Sequence, residues 1–256
     1  MTVLNITNAN TRWRVFEKEK LYNTFGNVID LRIGDLEATK RILQENDIKT
    51  VFWRPNSDEM TFTEYDAMQA QREILSNLPM INDPKNYLNT HCKEHAFEIW
   101  SDIPEINIPK YEVIDDDINF INNTKLNFPM LVRLNNEVTG RGSYLIKNRQ
   151  DLQKGLLKLN KDYNYSKSRK SFTDWVAITG KFKYEMGHLF IKYQERCNKM
   201  IEKNHDKIVK AVHSLGLNLQ GVDVIEDQTG QIYFLECQPG FSTGYSDWSP
   251  PFYNPH

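Results

Sequence analysis

Residues 215–240 read LGLNLQGVDVIEDQTGQIYFLECQPG, and this stretch decides what kind of fold the chain adopts. Gly216 closes a preceding helical pattern, because a residue without Cβ tolerates the left-handed conformation that ends helices. Two short apolar runs follow, Val222–Glu226 and Gln231–Gln238, joined through Asp227-Gln228-Thr229-Gly230, which is hairpin-turn chemistry. A four-residue turn would set Glu226 opposite Gln231 and Asp223 opposite Phe234. Alternation then places Asp223, Phe234, Glu236 and Gln238 on one face, with Asp223 and Glu236 diagonal neighbours about 7–8 Å apart at Cα. Val222, Val224, Tyr233, Leu235 and Cys237 make the other face, the expected core surface.

Two carboxylates converging on an otherwise apolar hairpin repel each other and lose hydration, at a cost of several kcal/mol unless something compensates. A divalent cation does so. Two carboxylates with the amide carbonyl of Gln238 form an all-oxygen set that suits Mg²⁺ or Mn²⁺ rather than Zn²⁺. Because Mg²⁺ keeps few protein ligands, phosphate oxygens would complete its shell. The competing explanation is a surface hairpin with solvated acids at its rim.

Upstream, Phe128–Arg133 followed by Gly140-Arg141-Gly142-Ser143 reads strand, loop, strand. It lacks the third Gly and the following helix of a dinucleotide fingerprint, and the chain contains no GxxxxGK[ST]. A Gly-x-Gly between strands can lie over phosphates and offer backbone N–H groups, or can simply be a hairpin turn. Arg133 sits among Met130, Leu131, Val132 and Leu134 and cannot shed its charge. It must therefore reach an anion or the rim, the competing explanation being a structural ion pair with one of the 34 acids. Lys93, beside a helical stretch, is the second such cation. His205 and His213 stand eight residues apart without a third ligand-like neighbour, which argues against zinc there.

Further out, the first 85 or so residues alternate β-branched runs (Val3–Ile6, Asn27–Leu31, Thr50–Trp53) with helical stretches over Leu36–Asn46 and Glu64–Leu78. That pattern predicts a small layered α/β unit with parallel strands. Asn82-Asp83-Pro84 closes it. Thr90 is the expected cap of a helix over Cys92–Trp100, and Tyr111–Ile114, Met130–Leu134, Ser143–Ile146 and Trp175–Ile178 are expected strands. Helices are predicted after Asp115-Asp116-Asp117, over Asp151–Leu159 and over Phe190–Leu215, the last with Ile191, Cys197, Ile201, Ile208, Ala211, Val212 and Leu215 along one side. Asn160–Lys170 is polar and reads as an exposed loop.

Composition bounds the function. The 256 residues carry 32 Lys+Arg against 34 Asp+Glu, a formal charge of −2, which argues against a basic nucleic-acid coat protein. Twelve per cent aromatics and five Trp argue for a packed interior. Three cysteines without paired spacing, no membrane-length apolar run and no signal-like start predict a cytoplasmic protein with neither nucleic acid nor membrane as partner.

In order and spacing, three segments resemble the ATP-grasp superfamily: INDPKNYLNTHCKEHAFEIW with IPKYEVI, then FPMLVRLNNEVTGRGSYLI, then LGLNLQGVDVIEDQTGQIYFLECQPG. The likeness runs from Ile81 to the end of the chain. Within it, the carboxylate–amine ligase branch is the one indicated, and Trp53-Arg54-Pro55 is similar to the domain preceding the grasp in ribosomal-protein glutamate ligases and graspetide ligases. The resemblance implies an α+β fold of two subdomains preceded by a small α/β domain. The pre-ATP-grasp domain would be 1–85 and the grasp domain 86–256, with subdomains at about 110–160 and 165–256.

The resemblance also implies that ATP and Mg²⁺ (or Mn²⁺) are bound. Lys93 and Arg133 would contact the nucleotide, Arg133 standing where Lys is usual. Gly140, Arg141, Gly142 and Ser143 would cover the phosphates. Asp223, Glu236 and Gln238 would hold the metal, Gln238 standing where Asn is usual, and Arg169 would steady the transferring phosphoryl group. The implied activity joins a carboxylate, on a small molecule or peptide, to an amine through an acyl phosphate; a homo-oligomer is compatible with it. The alternatives are a phosphotransferase acting on a hydroxyl and a non-catalytic nucleotide-binding module.

Overall fold

Strands β1 (Thr2–Thr7), β2 (Asn27–Arg32), β3 (Ile48–Arg54) and β4 (Met80–Ile81) form a parallel sheet in the order β2-β1-β3-β4. Parallel neighbours require long crossovers. Helices α1 (Leu36–Glu45) and α2 (Phe62–Ile74) supply two of them, and Asp35 caps α1 by accepting from the Ala38 N–H at 3.0 Å. Leu4, Ile6, Val51 and Trp53 meet Met68 and Leu75 in the core beneath. The parallel α/β unit expected from the alternating pattern is present. The computed structural model describes residues 1–8, 23–55, 62–114, 117–135, 143–162, 175–179, 190–218 and 220–238.

The chain then turns through Asp83–Asn86 into α3 (Tyr87–His91) and α4 (Lys93–Ser101). Thr90 is not the cap predicted for α4. It lies inside α3, its hydroxyl donating to the Tyr87 carbonyl at 2.9 Å, and the extended Cys92 precedes α4 instead. A five-residue helix is too short to show periodicity, so nothing in the sequence pattern marks α3.

Strands β5 (Lys110–Ile114), β6 (Met130–Leu134), β7 (Ser143–Ile146) and β8 (Trp175–Thr179) build an antiparallel sheet in the order β5-β8-β6-β7. Met130, Val132, Leu134 and Ile146 face α5 (Asp117–Asn123) and α6 (Arg149–Asp162), burying Phe120, Leu152 and Leu156. Alternation turns Arg133 to the opposite face, paired across the ladder with Ser143. Helix α6 runs to Asp162, so 160–162, expected to begin a loop, are helical; polarity alone does not separate a loop from the last turn of a helix. The remainder of that stretch lies outside the described residues.

Helix α7 (Phe190–Ser214) is bent at Asn204, which has φ −115° and ψ 15° and donates its side-chain amide to the Met200 carbonyl. The bend breaks the single apolar stripe expected along this helix. Ala211 and Leu215 are buried and Ile208 packs beside them, whereas Ile201, before the bend, is exposed. Gly216 follows with φ 78°, and a Cβ there would lie 2.6 Å from the Asn86 side chain, whose amide donates to the Gly216 carbonyl. Both conformation and close approach demand glycine.

The hairpin β9 (Gly221–Glu226) and β10 (Ile232–Gln238) packs on α4 and α7 around Ala96, Phe97, Trp100, Ala211, Leu215, Ile232, Phe234 and Cys237. Trp100 donates its indole N–H to the Ala211 carbonyl at 3.0 Å and lies 5.6 Å from the Phe234 ring. Among the described residues no helix is long and apolar enough to cross a membrane.

Candidate active site

The hairpin register differs from the one expected. Glu226 pairs with Ile232, not Gln231, because Asp227 extends the turn, its N–H donating to the Gln231 carbonyl and its carboxylate accepting from Thr229 and Gln231. Phe234 then faces Val224 and joins the core, correcting its assignment to the acidic face. A bulge at Leu235 follows. It restores Cys237 to the core opposite Val222 and sets Glu236 directly opposite Asp223 instead of diagonally. Bulges re-aim side chains where a strand must serve two masters. Here the extra residue lets Phe234 and Cys237 face the core on either side of it while Glu236 turns to the opposite face.

Glu236 is the centre of the site. Its Oε2 forms ion pairs with Lys93 Nζ at 3.1 Å and an Arg133 terminal nitrogen at 3.2 Å, while Gln238 Nε2 donates to Oε1 at 3.1 Å. Three elements therefore converge: the start of α4, the open face of β6, and β10. The Arg133 ambiguity resolves in an informative way, since the acid it pairs with is one of the three expected metal ligands. Two cations and two carboxylates balance in charge, and all but Asp223 are largely withdrawn from water; Lys93 and Glu236 are 3% and 7% exposed.

The electrostatics follow from this crowding. Burial and the Arg133 charge push Lys93 down to about 8, with Glu236 opposing. Burial alone would raise Glu236, yet Lys93 and Arg133 hold it below the ordinary carboxylate range. Surrounding protein and the neighbouring Glu236 carboxyl raise Asp223 to about 6, against the pull of Arg133 and Lys93. Asp223 keeps an exposed flank, so a ligand can reach it from solvent.

A stability signature results. The raised Asp223 pKa means the folded protein disfavours the charged form. The penalty is absent below about pH 4, grows through the window up to about 6, and is complete above it. Asp223→Asn should therefore raise the melting temperature of the metal-free protein by a few degrees at pH 8 and by nothing measurable at pH 4. Equal effects at both pH values would show that the carboxylate repulsion is not there.

Asn135, which the sequence reading did not single out, stitches these parts together. It is wholly buried. Its carbonyl accepts from both Lys93 Nζ and Lys93 N–H at 3.2 Å, its Oδ1 accepts from Glu94 N–H at 2.9 Å, and its Nδ2 donates to the Glu94 carboxylate at 3.3 Å. Its only signal in the sequence is its place two residues after Arg133. Ser143 comes to the same face as Arg133, and its Oγ is buried with no hydrogen-bond partner among the described residues. Gly140, Arg141, Gly142 and Arg169 lie outside the described residues.

The donor set fits a hard divalent cation. Asp223 and Glu236 face each other across one ladder position with Gln238 two residues on, which groups the hard oxygen donors such an ion takes.

The sequence matches no protein-family model and no curated protein. Solved structures are informative. N5-carboxyaminoimidazole synthase from Aspergillus clavatus, in complex with ADP and 5-aminoimidazole ribonucleotide, superposes with TM-score 0.67 at 11% identity, over 94% of this chain and 71% of that one. D-alanine–D-alanine ligase from Bacillus anthracis gives TM-score 0.61 at 12% identity over 93% and 86%. A RimK-domain ATP-grasp protein from Sphaerobacter thermophilus gives 0.58 at 10% over 93% and 90%. The chain has the ATP-grasp fold.

Proposed function

We propose that this chain is an ATP- and Mg²⁺-dependent ligase that joins a carboxylate, on a small molecule or peptide, to an amine. The observation that carries the reading is the cluster in which Lys93, Arg133 and Glu236, from a helix, a sheet and a hairpin, meet opposite Asp223. Similar folds that bind ADP or ligate D-alanine support it. The reading takes residues 1–85 as the domain preceding the grasp and 86–256 as the grasp itself.

Lys93 and Arg133 would bind the phosphates, trading Glu236 for the nucleotide as counter-charge, and Ser143 would donate its hydroxyl to a phosphate oxygen. Gly140, Arg141 and Gly142 would cover the phosphates from above, and Arg169 would steady the group in transfer. Asp223, Glu236 and Gln238 would hold Mg²⁺, which supplies charge neutralisation at the phosphates when bound. The substrate carboxylate oxygen forms a bond to the γ-phosphorus as the bond to ADP breaks. The amine nitrogen then bonds to the acyl carbon as inorganic phosphate departs with the C–O electron pair, and the nitrogen loses a proton to solvent. No protein nucleophile is needed; the cations' part is to hold and stabilise the developing charge.

The test is to incubate the protein with ATP, Mg²⁺ and panels of carboxylates and amines. A ligase releases ADP and phosphate only when both substrates are present. ADP formation with a hydroxyl acceptor and no amine identifies a phosphotransferase, and nucleotide binding without turnover identifies a binding module. Arg133→Ala should weaken ATP binding about 10–100-fold while costing only a few degrees of melting temperature, since Lys93 continues to neutralise Glu236. Unchanged affinity would reduce Arg133 to a structural ion-pair residue.

A further inference from the structure

We infer that Asn135 is a positioning residue that fixes the aim of Lys93, an inference that rests on the nucleotide-binding reading above. A lysine at the first turn of a helix is badly placed on electrostatic grounds, because the exposed N–H groups there favour anions. It also carries a long, rotamer-rich side chain, so it holds one direction only if something restrains it. Cys92, which precedes α4, offers no side-chain cap.

Asn135 supplies what is missing, from another part of the chain. Its Oδ1 takes the Glu94 N–H, an orphan donor of the first turn, at 2.9 Å. Its Nδ2 holds the Glu94 carboxylate at 3.3 Å. Its main-chain oxygen takes both the Lys93 N–H and the ammonium at 3.2 Å. Because Asn135 follows Arg133 by two residues, the same grip sets the spacing between the two cations. The residue is wholly buried, so water cannot substitute for any of these contacts. Asparagine is required in particular: it must accept from an N–H and donate to a carboxylate at once, which neither Asp nor Ala does.

The test is a swap of donor and acceptor. Asn135→Asp keeps the acceptor for Glu94 N–H but sets two carboxylates against each other. Glu94→Gln with Asn135→Asp restores the side-chain pair with its polarity reversed. Dissociation constants for a non-hydrolysable ATP analogue with Mg²⁺ are measured by calorimetry beside melting temperatures. The expected result is about a tenfold loss of affinity in Asn135→Asp and recovery of most of it in the double variant. A structural role would instead move affinity and melting temperature together.

Affinity in Asn135→Asp equal to the original would overturn the inference. So would a double variant that regains melting temperature without regaining affinity. If Asn135→Asp does not fold, Asn135→Ser is judged by its affinity relative to the original and Glu94→Gln alone by the same criterion; unchanged affinity in both overturns the inference. Failure of the unaltered protein to bind the analogue sinks the nucleotide reading itself, whereas binding that ignores Asn135 sinks only the positioning role.

Discussion

Replacing Glu236 by Gln is expected to abolish Mg²⁺-dependent ATP turnover and to lower folding stability by about 3–5 kcal/mol. On sequence grounds the exchange looks nearly silent for folding, because it is isosteric and leaves the hairpin's apolar face alone. The structure argues otherwise. The Glu236 carboxylate is the direct counter-charge of both Lys93 and Arg133, each largely withdrawn from water. A neutral amide would leave two buried cations facing each other, and the Lys93 pKa, already depressed to about 8 by burial and Arg133, would fall further. Part of the penalty would be relieved by deprotonating Lys93, so the variant should lose less stability at pH 9 than at pH 7. Chemical denaturation at the two pH values reads this directly. A variant as stable as the original at pH 7 would mean that the three charges do not form the cluster described.

The second large effect is structural. Trp100→Ala should cost about 3–5 kcal/mol, the range for removing a fully buried large aromatic side chain. Trp100 is wholly buried, touches Phe97 and Phe234, and spends its one donor on the Ala211 carbonyl of α7. It is thereby the bolt between α4, which carries Lys93, and the hairpin and long helix behind Glu236. Trp100→Phe should retain much of the packing and lose the hydrogen bond, at about 1–2 kcal/mol. Denaturant midpoints for the two variants check the order; a loss under about 1 kcal/mol in Trp100→Ala would contradict the packing account.

The sequence was a good guide wherever one physical signal dominated. β-Branched runs separated by amphipathic stretches located β1, β2, β3, α1 and α2, and the Ser143–Ile146 strand has the ends expected of it. It was a poor guide where two demands met in one segment. The β10 strand must bury Phe234 and Cys237 and yet present Glu236, and strict alternation cannot do so without the bulge at Leu235, which no turn residue announces. The bend at Asn204 is similar: the apolar residues of α7 keep their spacing in sequence while the backbone does not.

At the site, the residue types were legible and their partners were not. Asp223, Glu236, Gln238, Lys93, Arg133 and Ser143 are individually conspicuous as oxygen donors or stranded cations. That Glu236 neutralises both cations is a tertiary fact, written in no local pattern, and the grip of Asn135 on Lys93 spans 42 residues.

The most direct measurement is a calorimetric titration of the protein with a non-hydrolysable ATP analogue, run with Mg²⁺ and again with EDTA. The account predicts saturable binding at one site per chain that weakens at least about tenfold when the metal is removed, and that is lost in Glu236→Gln at a pH where that variant remains folded. Binding of equal strength with and without Mg²⁺ and in the variant, or no binding at all, would contradict it.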